Sequence, residues 1–168
     1  MSNWLVGRKV RMIGDHDAVA AGIERAGGIL VADGEPADLL VHVAMAAQDR
    51  PVHELSHDDW RAAMDAGLDQ RFLSAKAFAA ECRERSAGGA VLFVGSPEQS
   101  AGVAQASAAG ALGNLTKTLG VEWARDGIRV NTILSTASDA TIGNLAAYLL
   151  SDYAAYVTGA IMGVSIDD

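Results

Sequence analysis

The chain is short of several things, and each shortage excludes a class of protein. It has one cysteine, Cys82. An internal disulfide is therefore excluded, and a reducing compartment, the cytoplasm, is the expected location. It has no run of Lys or Arg, and its formal net charge is −8. Nucleic acids and anionic membranes are both recognised through basic patches, so neither is an expected partner. No apolar run approaches the length that spans a bilayer. The start, MSNWLVGRKV, lacks the apolar core of a secretory leader. No linker, repeat or low-complexity stretch divides the chain, so a single domain over residues 1–168 is expected.

What remains is the composition of an ordinary globular protein. Half of the 168 residues are apolar and 20% are charged. That length supports one hydrophobic core. Alanine and glycine are abundant and aromatics make up only 5%, which suits close packing of helices on a sheet.

Apolar runs of strand length alternate with helix-like runs, the pattern of an α/β fold with a parallel sheet. Val10–Ile13 reads as the first strand and Ala18–Ala26 as a helix stopped by Gly27-Gly28. Ile29–Ala32 and Leu39–Ala44 read as strands. Ser56 and Asp58 offer caps for a helix opening near Asp59 and running, with a break around Gly67, to about Arg85. Ala90–Val94 is the next strand, and Val103–Arg125 a long helix stopped at Gly127. Ile128–Ile133, a helix over Thr141–Leu150 and a last strand over Ala160–Ile166 complete the order. One connection is tight. Only Gly34–Ala37 separates the second strand from the third, whereas a parallel crossover takes a dozen or more residues. Ile29–Ala32 is therefore either very short or not a full parallel strand of the sheet.

Several polar residues are candidates for a site. Asp15-His16-Asp17 offers metal ligands, but two or three ligands in one turn need others from elsewhere; a solvated helix cap is the favoured reading. His53 and His57 fall in a polar loop and a helix start, where surface placement is the default. His42 lies in an apolar strand and reads as a hydrogen-bonded core histidine. Cys82 reads as a structural thiol.

The stretch GALGNLTKTLGVEWARDGIRVN, residues 110–131, resembles a helix–strand segment of the short-chain dehydrogenase/reductase family. DLLVHVAMAAQDRPVHELSHDDWRAAMDAGLDQRFLSAKAF resembles that family's central strand, loop and following helix. GGAVLFVGS resembles the strand ending at its catalytic serine, and YVTGAIMGVSID its C-terminal strand. The resemblance implies a Rossmann-like, doubly wound, mostly parallel sheet flanked by helices. It also implies where this chain is pared away. The third strand and its crossover are missing, about 30 residues for one such unit, which shortens the adenine-binding edge. The substrate loop is nearly absent, because the last helix follows Asn131-Thr132-Ile133-Leu134-Ser135-Thr136 so closely.

The family's reacting groups are replaced. Its tyrosine acid/base matches Gln105, its lysine Ala109 and its asparagine Gly67; only the serine, at Ser96, is kept. Glutamine has no titrating proton, so acid/base work is impossible there. A serine without a base is no nucleophile. Tyr148, Tyr153 and Tyr156 lie in or beside the last helix, without a lysine four residues on. The family's Asn-Asn-Ala-Gly below the nicotinamide reads His42-Val43-Ala44-Met45. Its glycine-rich turn keeps only Gly14, followed by Asp15-His16-Asp17. The two carboxylates are expected to cap the helix themselves and to repel a diphosphate. Asp33 ends the second strand where many relatives hold a ribose, though an Asp-Gly turn is the simpler reading. Gly14 and Asp33 are thus vestiges of a cofactor site, and no cofactor is expected; NAD or NADP enters only if the chain is an atypical oxidoreductase.

The resemblance further implies that the family's assembly surfaces persist. One is the helix pair Phe72–Arg85 and Val103–Arg125, the other the last helix and strand. Phe72, Lys76, Gly113, Thr116, Leu145, Tyr148 and Ile161 are the expected contact residues. On the long helix, Ala104, Ala108, Ala111, Leu112, Leu115 and Leu119 recur at helical spacing and are expected to face the sheet. Ala101, Ala106, Gly113 and Thr116 are expected to lie off that stripe. The expected function is a non-catalytic subunit that pairs with an active short-chain dehydrogenase, or with itself. The alternatives are an NAD(P)-dependent oxidoreductase using Ser96, Gln105 and His42, and a self-associating ligand-binding or scaffold protein.

Overall fold

The structure is a computed structural model that describes residues 3–43, 50–96 and 102–164. Ala44, Met45, Ala101, Ser165 and Ile166, named above, lie outside the described residues.

Six strands form one parallel sheet. They are β1 (Lys9–Ile13), β2 (Ile29–Val31), β3 (Leu39–Val43), β4 (Gly89–Gly95), β5 (Ile128–Ser135) and β6 (Ile161–Val164), in the order β2-β1-β3-β4-β5-β6. Successive strand residues point to opposite faces, and the sequence uses both. Val10, Leu39, Val41, Ala90, Leu92 and Val94 pack into one apolar layer, Leu40, Val91, Phe93, Ile128 and Val130 into the other. Near-continuous apolar strands are what a parallel sheet covered on both faces requires.

The first layer lies under α1 (Asp17–Arg25) and α5 (Ala140–Leu150). These helices cross with Gly22 against Gly143, and a Cβ on either would run into the other's backbone. Asp139 caps α5, accepting from the Thr141 N–H at 2.9 Å. Arg129 closes its other end by donating to the carbonyls of Leu149, Leu150 and Ser151, three orphan acceptors of the last turn.

The second layer lies under α3 (Gln70–Glu84) and α4 (Val103–Glu122), and α2 (His57–Met64) packs on α4. Ser56 starts α2 with a reciprocal capping box to Asp59. The break expected at Gly67 is a π-helical turn, Asp65–Asp69, that joins α2 to α3 without ending the helix.

The tight connection has a geometric answer. Strand β2 has only three residues, and Lys9 pairs Ile29 on one side while Val10 pairs Leu39 on the other. The connection therefore moves sideways across β1, two strand spacings or about 10 Å, with almost no travel along the strands. Residues 32–38 suffice. The link crosses on the α3 face and is tied down there. Buried Arg11 donates to the Glu35 carbonyl and makes a two-pronged ion pair with Glu81 of α3 at 2.9 and 3.0 Å. Arg85 donates to the Ala37 carbonyl at 2.7 Å. Neither arginine was singled out in the sequence. The signal was there in Arg11, a charge inside an apolar strand.

Gly113 and Thr116 are a correction. Both were placed off the core stripe of α4, yet both are buried against the chain's own strands. Thr116 is 0% exposed, and its hydroxyl is bonded to the Leu112 carbonyl at 2.8 Å and to Thr132 Oγ1 of β5 at 2.6 Å. A Cβ on Gly113 would stand 3.0 Å from Ile161 of β6. The α4 stripe that meets the sheet is Ala104, Ala108, Leu112, Gly113, Thr116, Leu119 and Gly120, while Ala111 and Leu115 are only half-buried. Small residues on this helix serve close approach to β5 and β6, which a count of apolar spacing does not reveal.

Candidate functional site

Two constructions meet at the C-terminal edge of the sheet, where open α/β sheets bind ligands. The first is the turn from β1 to α1. Gly14 has φ +77°, and a Cβ there would be 2.7 Å from the Val43 carbonyl oxygen. Only glycine meets both conditions. Helix α1 then begins at His16 with no side chain capping it. The expectation that Asp15 and Asp17 cap this helix is therefore wrong. Asp17 lies within the first turn, and the backbone N–H groups of that turn receive no side-chain oxygen. A glycine turn opening onto an uncapped helix N-terminus is the geometry that holds a diphosphate. Asp33 lies nearby in the turn after β2, where its Oδ1 accepts from the Gly34 N–H at 3.0 Å and Gly34 has φ +85°. The Asp-Gly turn is real, and its carboxylate also borders a cleft.

That cleft has a volume of about 320 Å³ and is lined by Arg11, Ile13, Asp33, His42, Gln70 and Ser74 among others. His42 is a hydrogen-bonded core histidine, as its apolar strand suggested. Its Nδ1 is 2.7 Å from Ser74 Oγ. Ser74 Oγ also lies 3.0 Å from the Arg71 carbonyl, to which it can donate. With that bond made, Ser74 accepts from His42 Nδ1–H, and Nε2 is the imidazole's acceptor. Burial, helped by the charge of Arg71, lowers its pKa to about 4, so it is neutral at physiological pH.

The second construction is the end of β4 with the first turns of α4. Ser96 is exposed just beyond β4. Gln105 and Ala109 are half-buried in α4. Gly67 in the π-turn packs on that helix, where a Cβ would stand 2.7 Å from the Ala108 Cβ. The contact of Gly67 with Ala108 thus brings the π-turn onto the half of α4 that carries Gln105 and Ala109. Sequence reasoning missed Arg71, which ties the π-turn to the end of β4. Its Nη1 donates to the Gly67 carbonyl at 2.8 Å and its Nη2 to the Val94 carbonyl at 2.6 Å. Tyr148 is remote, packed edge-on against Trp4. Cys82 is buried, and that burial raises its thiol pKa. Among the described residues there is no cluster of three His, Cys, Asp or Glu side chains fit for a metal, and no helix is long and apolar enough to cross a membrane.

A family model described as enoyl-(acyl carrier protein) reductase matches residues 14–142. The chain belongs to the short-chain dehydrogenase/reductase family. D-threitol dehydrogenase of Mycolicibacterium smegmatis is 32% identical over 134 residues, 77% of this chain and 51% of that protein. The chain thus spans about half the length of that relative. Cis-4-hydroxycyclohexanecarboxylate dehydrogenase of Sinomonas cyclohexanicum is 31% identical, across 89% of this chain and 71% of its own length. In fold, the chain superposes on an Agrobacterium tumefaciens protein described as a 2-deoxy-D-gluconate 3-dehydrogenase, solved with bound NADP. The TM-score is 0.88 at 24% identity, covering 97% of this chain and 96% of that one. A Beutenbergia cavernae protein described as an NAD(P)-dependent gluconate 5-dehydrogenase, with NADP at low occupancy, gives 0.86 at 19% identity, covering 97% of each chain.

These findings overturn the expectation of no cofactor. The family is one of nicotinamide-dependent enzymes, and two structures of this fold carry NADP. The expectation rested on a lost glycine motif and on two carboxylates. The structure keeps a glycine at positive φ in the turn, and although Asp17 lies in the first turn of α1, no side chain makes a capping hydrogen bond there.

Proposed function

We propose that the protein is a member of its family that binds a nicotinamide dinucleotide without turning it over by the family's route, and that it works as a subunit beside an active dehydrogenase. One observation carries this reading. Gln105 and Ala109, which the sequence resemblance matches to the family's acid/base pair, lie on α4, and neither side chain titrates. His42, which lines the cleft, is neutral at physiological pH and hydrogen-bonded through Nδ1 to Ser74. The dinucleotide would supply hydride transfer. On this chain's side, the Gly14 turn and the α1 N-terminus would hold the diphosphate, and Asp33 a ribose. The Asp33 carboxylate would repel a ribose phosphate, favouring NAD(H) over NADP(H).

Support for assembly comes from what the fold leaves uncovered. Phe72 and Leu73 of α3 are 39% and 52% exposed, beside exposed Lys76. Strand β6 is the open edge of the sheet, with Ile161 37% exposed. Leu145 and Tyr148 of α5 are half-buried. Purification from the native host with identification of co-eluting chains tests the reading, together with sedimentation of the pure protein and an assay against a panel of alcohols and carbonyls. The expected result is a mass above the monomer, a dehydrogenase partner and no turnover by the isolated chain. A monomer at micromolar concentration, with no dehydrogenase co-eluting from the native host, would end the subunit reading. Turnover by the isolated chain would favour an atypical oxidoreductase instead.

A further inference from the structure

Arg11 is a charged residue at the centre of an otherwise largely apolar strand, and it is 7% exposed. The sheet itself does not require it. Replacing a buried ion pair by apolar side chains of similar volume is often neutral or stabilising. What the Arg11–Glu81 pair adds is position. Glu81 accepts from Nη1 and Nη2 at 2.9 and 3.0 Å, and Nη2 also donates to the Glu35 carbonyl. The guanidinium is planar and rigid, so a carboxylate held on its fork also fixes where the carbonyl must lie. The backbone of Glu35 is thereby set relative to α3.

Asp33 precedes Glu35 by two residues, in a turn that closes on itself. The Glu35 N–H donates to the Ala32 carbonyl at 3.2 Å, and the Ala32 N–H donates to Glu35 Oε1 at 3.3 Å. With the bond from the Gly34 N–H to Asp33 Oδ1, these give the turn its shape but not its place. After β2, the first tie between the turn and the rest of the domain, among the described residues, is the bond from Arg11 to the Glu35 carbonyl. Arg11 and Asp33 also line the same cleft. Burial works against the Arg11 charge, yet its pKa is raised, first by the hydrogen bond to Glu81 and in lesser part by the charge of Asp33. The Asp33 carboxylate thus lies within electrostatic reach of the guanidinium.

We propose that the Arg11–Glu81 pair positions Asp33: it holds the turn over residues 32–35 so that the Asp33 carboxylate can bond a ribose hydroxyl, and it thereby sets part of the affinity for the adenosine end of the dinucleotide. The inference rests on the reading above that the chain binds NAD(H). Arg11 and Glu81 act through Asp33 and are positioning residues. The competing reading is that the pair only fastens the link to α3, with no consequence for the ribose.

A binding cycle separates the two. NADH and its analogue lacking the adenosine 2′-hydroxyl are titrated by fluorescence into the full-length wild type and into Arg11→Met, Arg11→Lys and Glu81→Gln. An acidic residue following the second strand bonds that hydroxyl, so deleting the hydroxyl deletes the contact that the pair positions. The proposal expects Arg11→Met to weaken NADH by about fivefold and the analogue by less than about twofold. Glu81→Gln should act in the same direction to a smaller degree, and Arg11→Lys, which can still pair with Glu81, should recover part of the loss. A general loosening of the domain would weaken both ligands alike. Equal weakening of the two ligands would therefore overturn the proposal, as would undiminished NADH binding by Arg11→Met or equal affinity of the wild type for both. If Arg11→Met fails to fold, Glu81→Gln decides by the same comparison. A wild type that binds neither ligand up to about 1 mM would instead remove the cofactor reading itself, and this inference with it.

Discussion

The β1–α1 turn and the first turns of α4 have diverged from their family in opposite ways. The turn matches little of the family's sequence signature, yet Gly14 stands at φ +77° against the Val43 carbonyl and α1 has no side-chain cap. The α4 region resembles the family in sequence around the site, and the resemblance puts Gln105 and Ala109, which do not titrate, where the family has its reacting side chains. A phosphate cradle is made of backbone N–H groups, so it survives changes of side chain as long as the path of the chain survives. Acid/base chemistry is made of side chains and ends with two substitutions.

The comparison breaks most violently where the α4 scaffold itself is challenged. Thr116→Arg should lose more than about 4 kcal/mol, or fail to fold, because it forces a long cation into a filled space beside Thr132. Urea unfolding followed by circular dichroism would show it; a stable Thr116→Arg domain would mean that α4 does not pack as described. Next comes His42, whose pKa is lowered from 6.5 to about 4. Its unfolded form binds a proton that the folded form refuses, so its stability contribution is complete above pH 6.5 and falls as pH drops toward 4, by on the order of 3 kcal/mol in all. Urea midpoints between pH 7 and 4.5 should fall more steeply for the wild type than for His42→Gln.

Smaller effects separate the two regions directly. Gly14→Val should weaken NAD(H) by about tenfold or more through the strained turn, whereas Gln105→Ala should change it by less than about twofold, since Gln105 has no part in the cradle. Calorimetry on both variants checks the contrast, and equal losses would erase it. Smallest of all, Asp15→Asn or Asp17→Asn should tighten NAD(H) by a few-fold at most, as a like charge leaves the neighbourhood of the diphosphate.

The strands and helices were legible because their apolar spacing is a local property of the sequence. Gly67 as a break and Ser56 as a cap were legible for the same reason. The π-turn itself, the sideways link over residues 32–38 and the inward face of Gly113 and Thr116 were not. Each depends on which neighbour lies within a few ångströms, and spacing along one helix is silent on that. At the candidate site Gln105 and Ala109 could be matched to the family's acid/base positions only by resemblance. The retained turn was misread, because Asp15 and Asp17 look like caps in sequence and are not caps in space. Arg71 escaped notice because a single arginine in a polar-looking helix start gives no hint that its guanidinium is buried.

The central claim is that the backbone cradle still works where the chemistry does not. Fluorescence titration of NADH into the wild-type chain and into Gly14→Val, side by side, tests it most directly. The account predicts saturable binding by the wild type with a Kd in the range of about 10–100 μM, clearly weakened in the variant. No saturation by the wild type up to about 1 mM, or equal binding by both proteins, would contradict it.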